Sequence, residues 1–334
     1  MKSKFYQILW LVLIPLSITA LQAKTTPSFP LDAGVLQQDI AVNNKVGKVS
    51  DMNIVTLIRK GKGKNNVVQG IAVDSTKGLL YSLHVVGQPN RGVVNRFNFN
   101  SLSPAQITAQ DNQSPTDIIG HQGITVDPRN GLIWASAGAS ITDASWKIIG
   151  FNYSPNGEPK NVRTVQLFDK NYKKSGYTMP VITPDARYLI VRSRKNKQEV
   201  MRVFDLTKVK LENGTDLSQS YLYEWSIDSD LIKNKYAFQA MTSDGKYIYL
   251  LSGGVGDQNP NNKHLYVYSI DGKLIQKLDQ LTLGKYDRLS YGREGHWEPE
   301  GLAVDILHNQ LLVMFAVGDN GKRLAIVYKV PINN

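Results

Sequence analysis

The chain has 334 residues, 42% hydrophobic and 20% charged, with a formal net charge of +11 and no cysteine. This composition allows a large packed core, and the missing cysteines exclude a disulfide scaffold and thiolate chemistry. The basic balance predicts a general attraction to anionic polymers and surfaces, but Lys and Arg are scattered without a helical stripe or a nucleic-acid motif, so no nucleic-acid partner is expected.

Residues 1–23 read as a secretory signal peptide. Lys2 and Lys4 precede an apolar run from Ile8 to Ile18, and the small residues of ITALQA follow. The run is short for a membrane span. Cleavage after Ala23 leaves residues 24–334, which contain no second stretch of spanning length. A secreted or periplasmic monomer is expected. Further along, IRKGKGKNN (Ile58 to Asn66) is a local basic cluster and reads as a solvated loop.

From Gln69 onward the chain repeats itself. QGIAVD (Gln69 to Asp74), QGITVD (Gln122 to Asp127), PVITPD (Pro180 to Asp185), FQAMTSD (Phe238 to Asp244) and PEGLAVD (Pro299 to Asp305) stack with Asp-to-Asp spacings of 53, 58, 59 and 61. Such a period marks a propeller or another repeat array. Each segment leads through a turn into an apolar strand such as LLYSLHV or YIYLLSGG, then a third strand such as WKIIGFNY or RLAIVYKV. Four repeats add a fourth strand: PAQITAQ, NVRTVQLF, SYLYEWSI and KLIQKLD. The fifth runs out of chain, and NIVTLIR (Asn53 to Arg59) is expected to supply its outer strand and close the ring. The fold class is therefore all-β: a single five-bladed β-propeller over residues 24–334, with four antiparallel strands per blade. Small residues at Gly70, Gly123, Ala240 and Gly301 suit inner strands that converge on an axis.

In this fold the loops leading into inner strands share one face, the mouth. The five repeat Asp lie on the opposite face and read as turn-makers that accept backbone N–H bonds. Gln69, Gln122, Pro180, Gln239 and Glu300 should meet at the mouth of the central channel. Three amides and a carboxylate there could hold waters, a sugar hydroxyl or a hard cation; Ca²⁺ at Glu300 is the metal reading. GHWEPEG (Gly295 to Gly301) adds titratable His296, a stacking plane in Trp297, and Glu298 beside Glu300. His84 and His121 are expected at the same mouth. Arg192, Arg194 and Lys195 should make its rim basic.

The motifs VQG (Val68 to Gly70), HQG (His121 to Gly123), FQA (Phe238 to Ala240) and EPEG (Glu298 to Gly301) carry a resemblance. The plan resembles the five-bladed propellers grouped around helveticin J-type bacteriocins, TagC-like teichoic-acid-associated proteins and the receptor-binding propeller of a staphylococcal phage. The third repeat, MPV (Met179 to Val181), departs from the motif. The resemblance implies binding of a cell-envelope glycan or anionic polymer, with no catalytic residues to carry over. Calcium-dependent propeller hydrolases of the apyrase and lactonase kinds are similar in where they place polar residues, which keeps a Ca²⁺-dependent enzyme as an alternative. A protein-interaction platform with an inert channel is the third reading.

Overall fold

The computed structural model describes residues 29–33, 36, 45–49, 66–87, 91–99, 109–172, 177–195, 198–227, 237–255, 263–285, 296–319 and 323–333. Strand β1 (Lys45–Val49) precedes the first blade. Blade 1 holds β2 (Asn66–Asp74), β3 (Leu79–Val86), β4 (Arg91–Asn98) and the short β5 (Asp111–Asn112). Blade 2 holds β6 (Ile119–Val126), β7 (Ile133–Ala137), β8 (Lys147–Asn152) and β9 (Lys160–Gln166). Blade 3 holds β10 (Met179–Ile182), β11 (Tyr188–Lys195) and β12 (Gln198–Asp205). From there β13 (Thr215–Asp216) crosses to pair in parallel with β9, and β14 (Tyr223–Ser226) returns to β12. Blade 4 holds β15 (Phe238–Ser243), β16 (Tyr247–Ser252), β17 (His264–Ser269) and β18 (Leu274–Leu278). Blade 5 holds β19 (His296–Asp305), β20 (Gln310–Gly318) and β21 (Leu324–Pro331), and β1 is its outer strand.

The inner strands touch in the cyclic order β2, β6, β10, β15, β19 and back to β2, so the ring is closed. Side chains alternate across each strand and go to two different neighbours. Leu302 and Val304 of β19 pack toward blade 4, whereas Ala303 between them packs toward blade 1. Each of the five buried clusters accordingly fills one blade–blade interface. This explains why the strands are apolar on both faces. Close approach at the axis demands the small residues: a Cβ on Gly301 would lie 3.0 Å from Ile71 of the next inner strand.

The expected closure by an N-terminal strand holds, but the strand is Lys45–Val49, which pairs with β21; Asn53 to Arg59 lie outside the described residues. So does most of PAQITAQ, and the fourth strand of blade 1 is Asp111–Asn112. The residues before β1 also belong to the seam. Leu31 bridges Ile332, and its N–H and C=O both bond the buried Gln276 amide of blade 4. Leu36 is buried in the cluster between blades 4 and 5. Among the described residues no helix is long and apolar enough to cross a membrane.

Candidate functional site

Four of the five inner strands carry a register irregularity where the sequence places its polar residue. The shift falls between Val68 and Gly70, between Phe238 and Ala240, and between Pro299 and Gly301, and the larger one in blade 2 spans Ile119 to Ile124. Gln69, Gln239 and Glu300 are thus the extra residues of β-bulges, and Gln122 lies inside the fourth irregularity. A bulge re-aims the side chain it inserts. Gly123 has φ of 85°, and a Cβ there would lie 2.8 Å from Met179, so only glycine suits the blade 2 version. Blade 3 has Pro180 at this position and an unbroken register.

The re-aimed side chains meet. Gln69 Nε2 donates to Glu300 Oε1 at 3.5 Å, Gln122 Nε2 to Gln239 Oε1 at 3.1 Å, and Gln239 Nε2 to Glu298 Oε1 at 3.3 Å and to the Gly253 carbonyl at 3.0 Å. Arg323 pairs with the other oxygen of Glu298. The expected polar ring exists, but its members largely satisfy one another and most are buried. Below it the axis narrows to a space of about 10 Å³ between Ile71, Ile124, Met241 and Leu302. The ring closes the channel rather than lining an open cup.

Glu300 is 2% exposed. Burial, then the negative charge of Glu298, drive its pKa well above the ordinary carboxylate range, and Arg323 opposes the shift. The shift favours the neutral form of Glu300 beside a Glu298 carboxylate that pairs with Arg323. This set does not fit Ca²⁺, which takes six to eight oxygens. The buried oxygens lacking a hydrogen-bond partner here are Gln69 Oε1 and Glu300 Oε2. Among the described residues no three His, Asp or Glu converge on a metal position. The calcium reading of Glu300 is corrected on this ground.

Three other expectations change. Trp297 is 1% exposed: it points away from Glu298, into the blade 4–blade 5 core, where it packs on Phe315 and lies under the Lys263 ammonium. It cannot stack on a ligand at the mouth. His84 is fully buried, with Nε2 3.1 Å from Ser82 Oγ, and desolvation lowers its pKa to about 3. It is a neutral packing group. Arg192 and Arg194 share one carboxylate, Glu199, and Arg192 is buried, so the rim is less basic than expected by one charge. His296 stands half-buried at the start of β19, opposite Gly318. Four of the five repeat Asp behave as expected: Asp74, Asp127, Asp185 and Asp244 accept backbone N–H bonds within their turns, whereas Asp305 instead pairs with the His308 side chain.

The open feature of the mouth face lies beside the ring. A cleft of about 300 Å³ runs between the ends of β3 and β7 and the beginnings of β4 and β6. His121, next to ring member Gln122, forms one wall and stacks on Tyr177 at 5.2 Å between centroids. Burial lowers the His121 pKa, favouring the neutral ring. Tyr177 is 40% exposed, and exposed Arg91 and half-buried Ser145 complete the polar lining. Gly92, Gly120 and Gly138 make room: a Cβ on Gly92 would lie 2.5 Å from Ile119. Tyr177 and Arg91 were not singled out from the sequence. The signal was available, because Tyr177 stands in the loop that enters inner strand β10, and such loops are expected on the mouth face.

Comparison with known proteins fits this architecture. A family model described as the phage five-bladed β-propeller receptor-binding platform domain matches residues 67–329. It corresponds to one of the three groups that the repeat motifs resemble; the likeness to bacteriocins and TagC-like proteins rests on those motifs alone. No curated protein matches the chain. Similar solved structures include an exo-β-1,3-galactanase from Clostridium thermocellum (10% identity, 88% of this chain and 66% of that one, TM-score 0.49). Another is a glutaminyl cyclase from Myxococcus xanthus (11% identity, 81% and 94%, TM-score 0.46). A third is the PQQ domain of a pyranose dehydrogenase from Coprinopsis cinerea (14% identity, 80% and 93%, TM-score 0.42). At these identities and scores none of them bears on what this chain does.

Proposed function

Since this chain belongs to the family of phage five-bladed β-propeller receptor-binding platform domains, we propose that it is a binding propeller whose mouth face recognises a cell-envelope glycan or an anionic envelope polymer. The observation that carries this reading is the cleft beside the ring, with its exposed Tyr177, neutral His121 and Arg91. Its volume suits one sugar-sized unit. The Tyr177 ring offers a face for the apolar side of a sugar, and Arg91 offers a fork for a phosphate or carboxylate. The hydrogen-bonded ring of Gln69, Gln122, Gln239, Glu298 and Glu300 serves as a rigid floor next to the cleft. Reading residues 1–23 as a secretory signal puts the chain outside the cytoplasm, where such polymers are found.

The test is a binding isotherm on purified cell-wall glycopolymer. Tyr177→Ala and Arg91→Ala should each weaken binding about tenfold, the scale of a contact worth about 1.4 kcal/mol. Both positions are exposed, so the variants should unfold like the parent. Folded variants that bind the polymer like the parent would remove the proposal. If those variants lost capture of a protein partner but not of glycan, the mouth would instead be a protein-interaction surface.

A further inference from the structure

The bulge in β15 gives two neighbouring buried side chains, Phe238 and Gln239, different directions. In a regular strand Phe238 and Ala240 would share a face. The register shift between them puts Phe238 in the core toward blade 3 and Ala240 in the core toward blade 5, and turns Gln239 to the axis. The Gln239 amide has one orientation. Its Nε2 donates to the Gly253 carbonyl at 3.0 Å and to Glu298 Oε1 at 3.3 Å, so its Oε1 is left to accept from Gln122 Nε2 at 3.1 Å. Turning the amide over would set its oxygen against a carbonyl and a carboxylate. Gln122 reaches this acceptor past blade 3, where Pro180 offers no side-chain donor. The residue before Gln122 is His121, a wall of the cleft.

Phe238 leads to the other half of the same wall. Its ring centroid lies 4.8 Å from the Arg192 guanidinium, and Arg192 Nη1 donates to the Tyr177 carbonyl at 3.4 Å. Two adjacent residues of blade 4 thus reach both rings of the His121–Tyr177 stack, each through one intermediary. Neither lines the cleft itself. The segment that carries His121 has left the ladder: Ile119 pairs with Ala137, and the next pair is Ile124 with Ala135. Gly120 and Gly123 stand on either side of His121 and Gln122. Backbone of this kind takes its place from the side chains that anchor it. We propose that Phe238 and Gln239 are positioning residues of the cleft, setting the angle and spacing of the two rings that meet the ligand. In ligand binding this role rests on the reading of the mouth face above; in holding the stack it does not.

The stacked rings are their own reporters. With isotope-labelled His and Tyr in the full chain, the parent should show a through-space NMR cross-peak between the His121 and Tyr177 rings, assigned with Tyr177→Phe. Gln239→Met keeps the length of the side chain and removes both hydrogen-bonding ends. It should lose the cross-peak and weaken binding of purified cell-wall glycopolymer about threefold to tenfold, the range for residues that act without touching the ligand. Gln122→Met should do the same and, being half-buried, reads the same bond should Gln239→Met fail to fold. The double variant should match either single one, because both cut one bond. Phe238→Leu should lose the cross-peak with Gln239 unaltered. A cross-peak that persists in Gln239→Met or Gln122→Met would overturn the proposal, as would a double variant showing the sum of the two single effects. Loss of the cross-peak in variants of a parent that binds no polymer would uphold the positioning and remove the glycan reading instead.

Discussion

The sharpest consequence of the ring concerns Glu300→Gln. In the native protein burial and the charge of Glu298 push the Glu300 pKa well above the ordinary carboxylate range, which favours the neutral acid. Unfolding releases it to water, where a Glu has its ordinary pKa of about 4.3. Between that value and the raised native one, the native state holds a proton that the unfolded state has lost. Stability from this group is therefore full below the unfolded pKa and falls as pH rises toward the native one. The slope is about 1.4 kcal/mol per pH unit for one proton. Glutamine keeps the shape, accepts from Gln69 and cannot ionise. Urea unfolding of parent and variant at pH 5, 6, 7 and 8 isolates the effect, since other titrating groups cancel in the difference. The variant should gain on the parent by about 1.4 kcal/mol per unit until Glu300 ionises. A difference that stays constant across this range would mean that Glu300 is already ionised in the fold, and the account of a neutral acid in the ring would be wrong.

Two further outcomes follow from buried groups. Trp297→Ala removes a side chain packed on Phe315 and beneath Lys263; it should cost about 3–5 kcal/mol of stability in denaturant titrations. A Trp at the mouth would instead give a stable variant with weakened binding. His84, whose native pKa is about 3, stays neutral in the fold while the unfolded chain takes up a proton below about 6.5. Its unfavourable effect therefore grows as pH falls from there toward 3. Unfolding curves from pH 7 to 4 should show His84→Asn closing on the parent by about 1.4 kcal/mol per unit below pH 6.5.

The architecture was legible because small residues at Gly70, Gly123, Ala240 and Gly301 recur with turn-making Asp at a fixed distance, and both are dictated by inner-strand convergence. The ring was legible for the same reason. What failed depended on backbone detail. NIVTLIR is the more apolar candidate for the closing strand, yet KVGKV at Lys45 to Val49 takes the place beside β21; an outer strand needs little apolar content. Trp297 went astray although strand alternation puts it opposite Glu298, and a strict reading of that period would have sent it to the core. The bulges at Gln69, Gln239 and Glu300 have no reliable sequence mark. They decided that the ring side chains would turn toward one another, and so that the opening would lie to one side, at Tyr177 and Arg91.

The seam between β1 and β21 has a consequence for assembly. Its partners Val49 and Ala325 are separated by four whole blades of sequence. Blades 1 to 4 are built mostly from pairings between neighbouring stretches of chain, whereas blade 5 needs two remote stretches to find each other, the slowest kind of contact to form. Ring closure therefore waits until β21 has been made, however early β1 emerges. A permuted chain beginning at His296, with residue 334 joined to Phe29 and a new end after Lys285, would make that seam local. The join is short, because Asn333 already bonds the Phe29 carbonyl. Such a chain should refold faster than the natural order of blades in stopped-flow measurements.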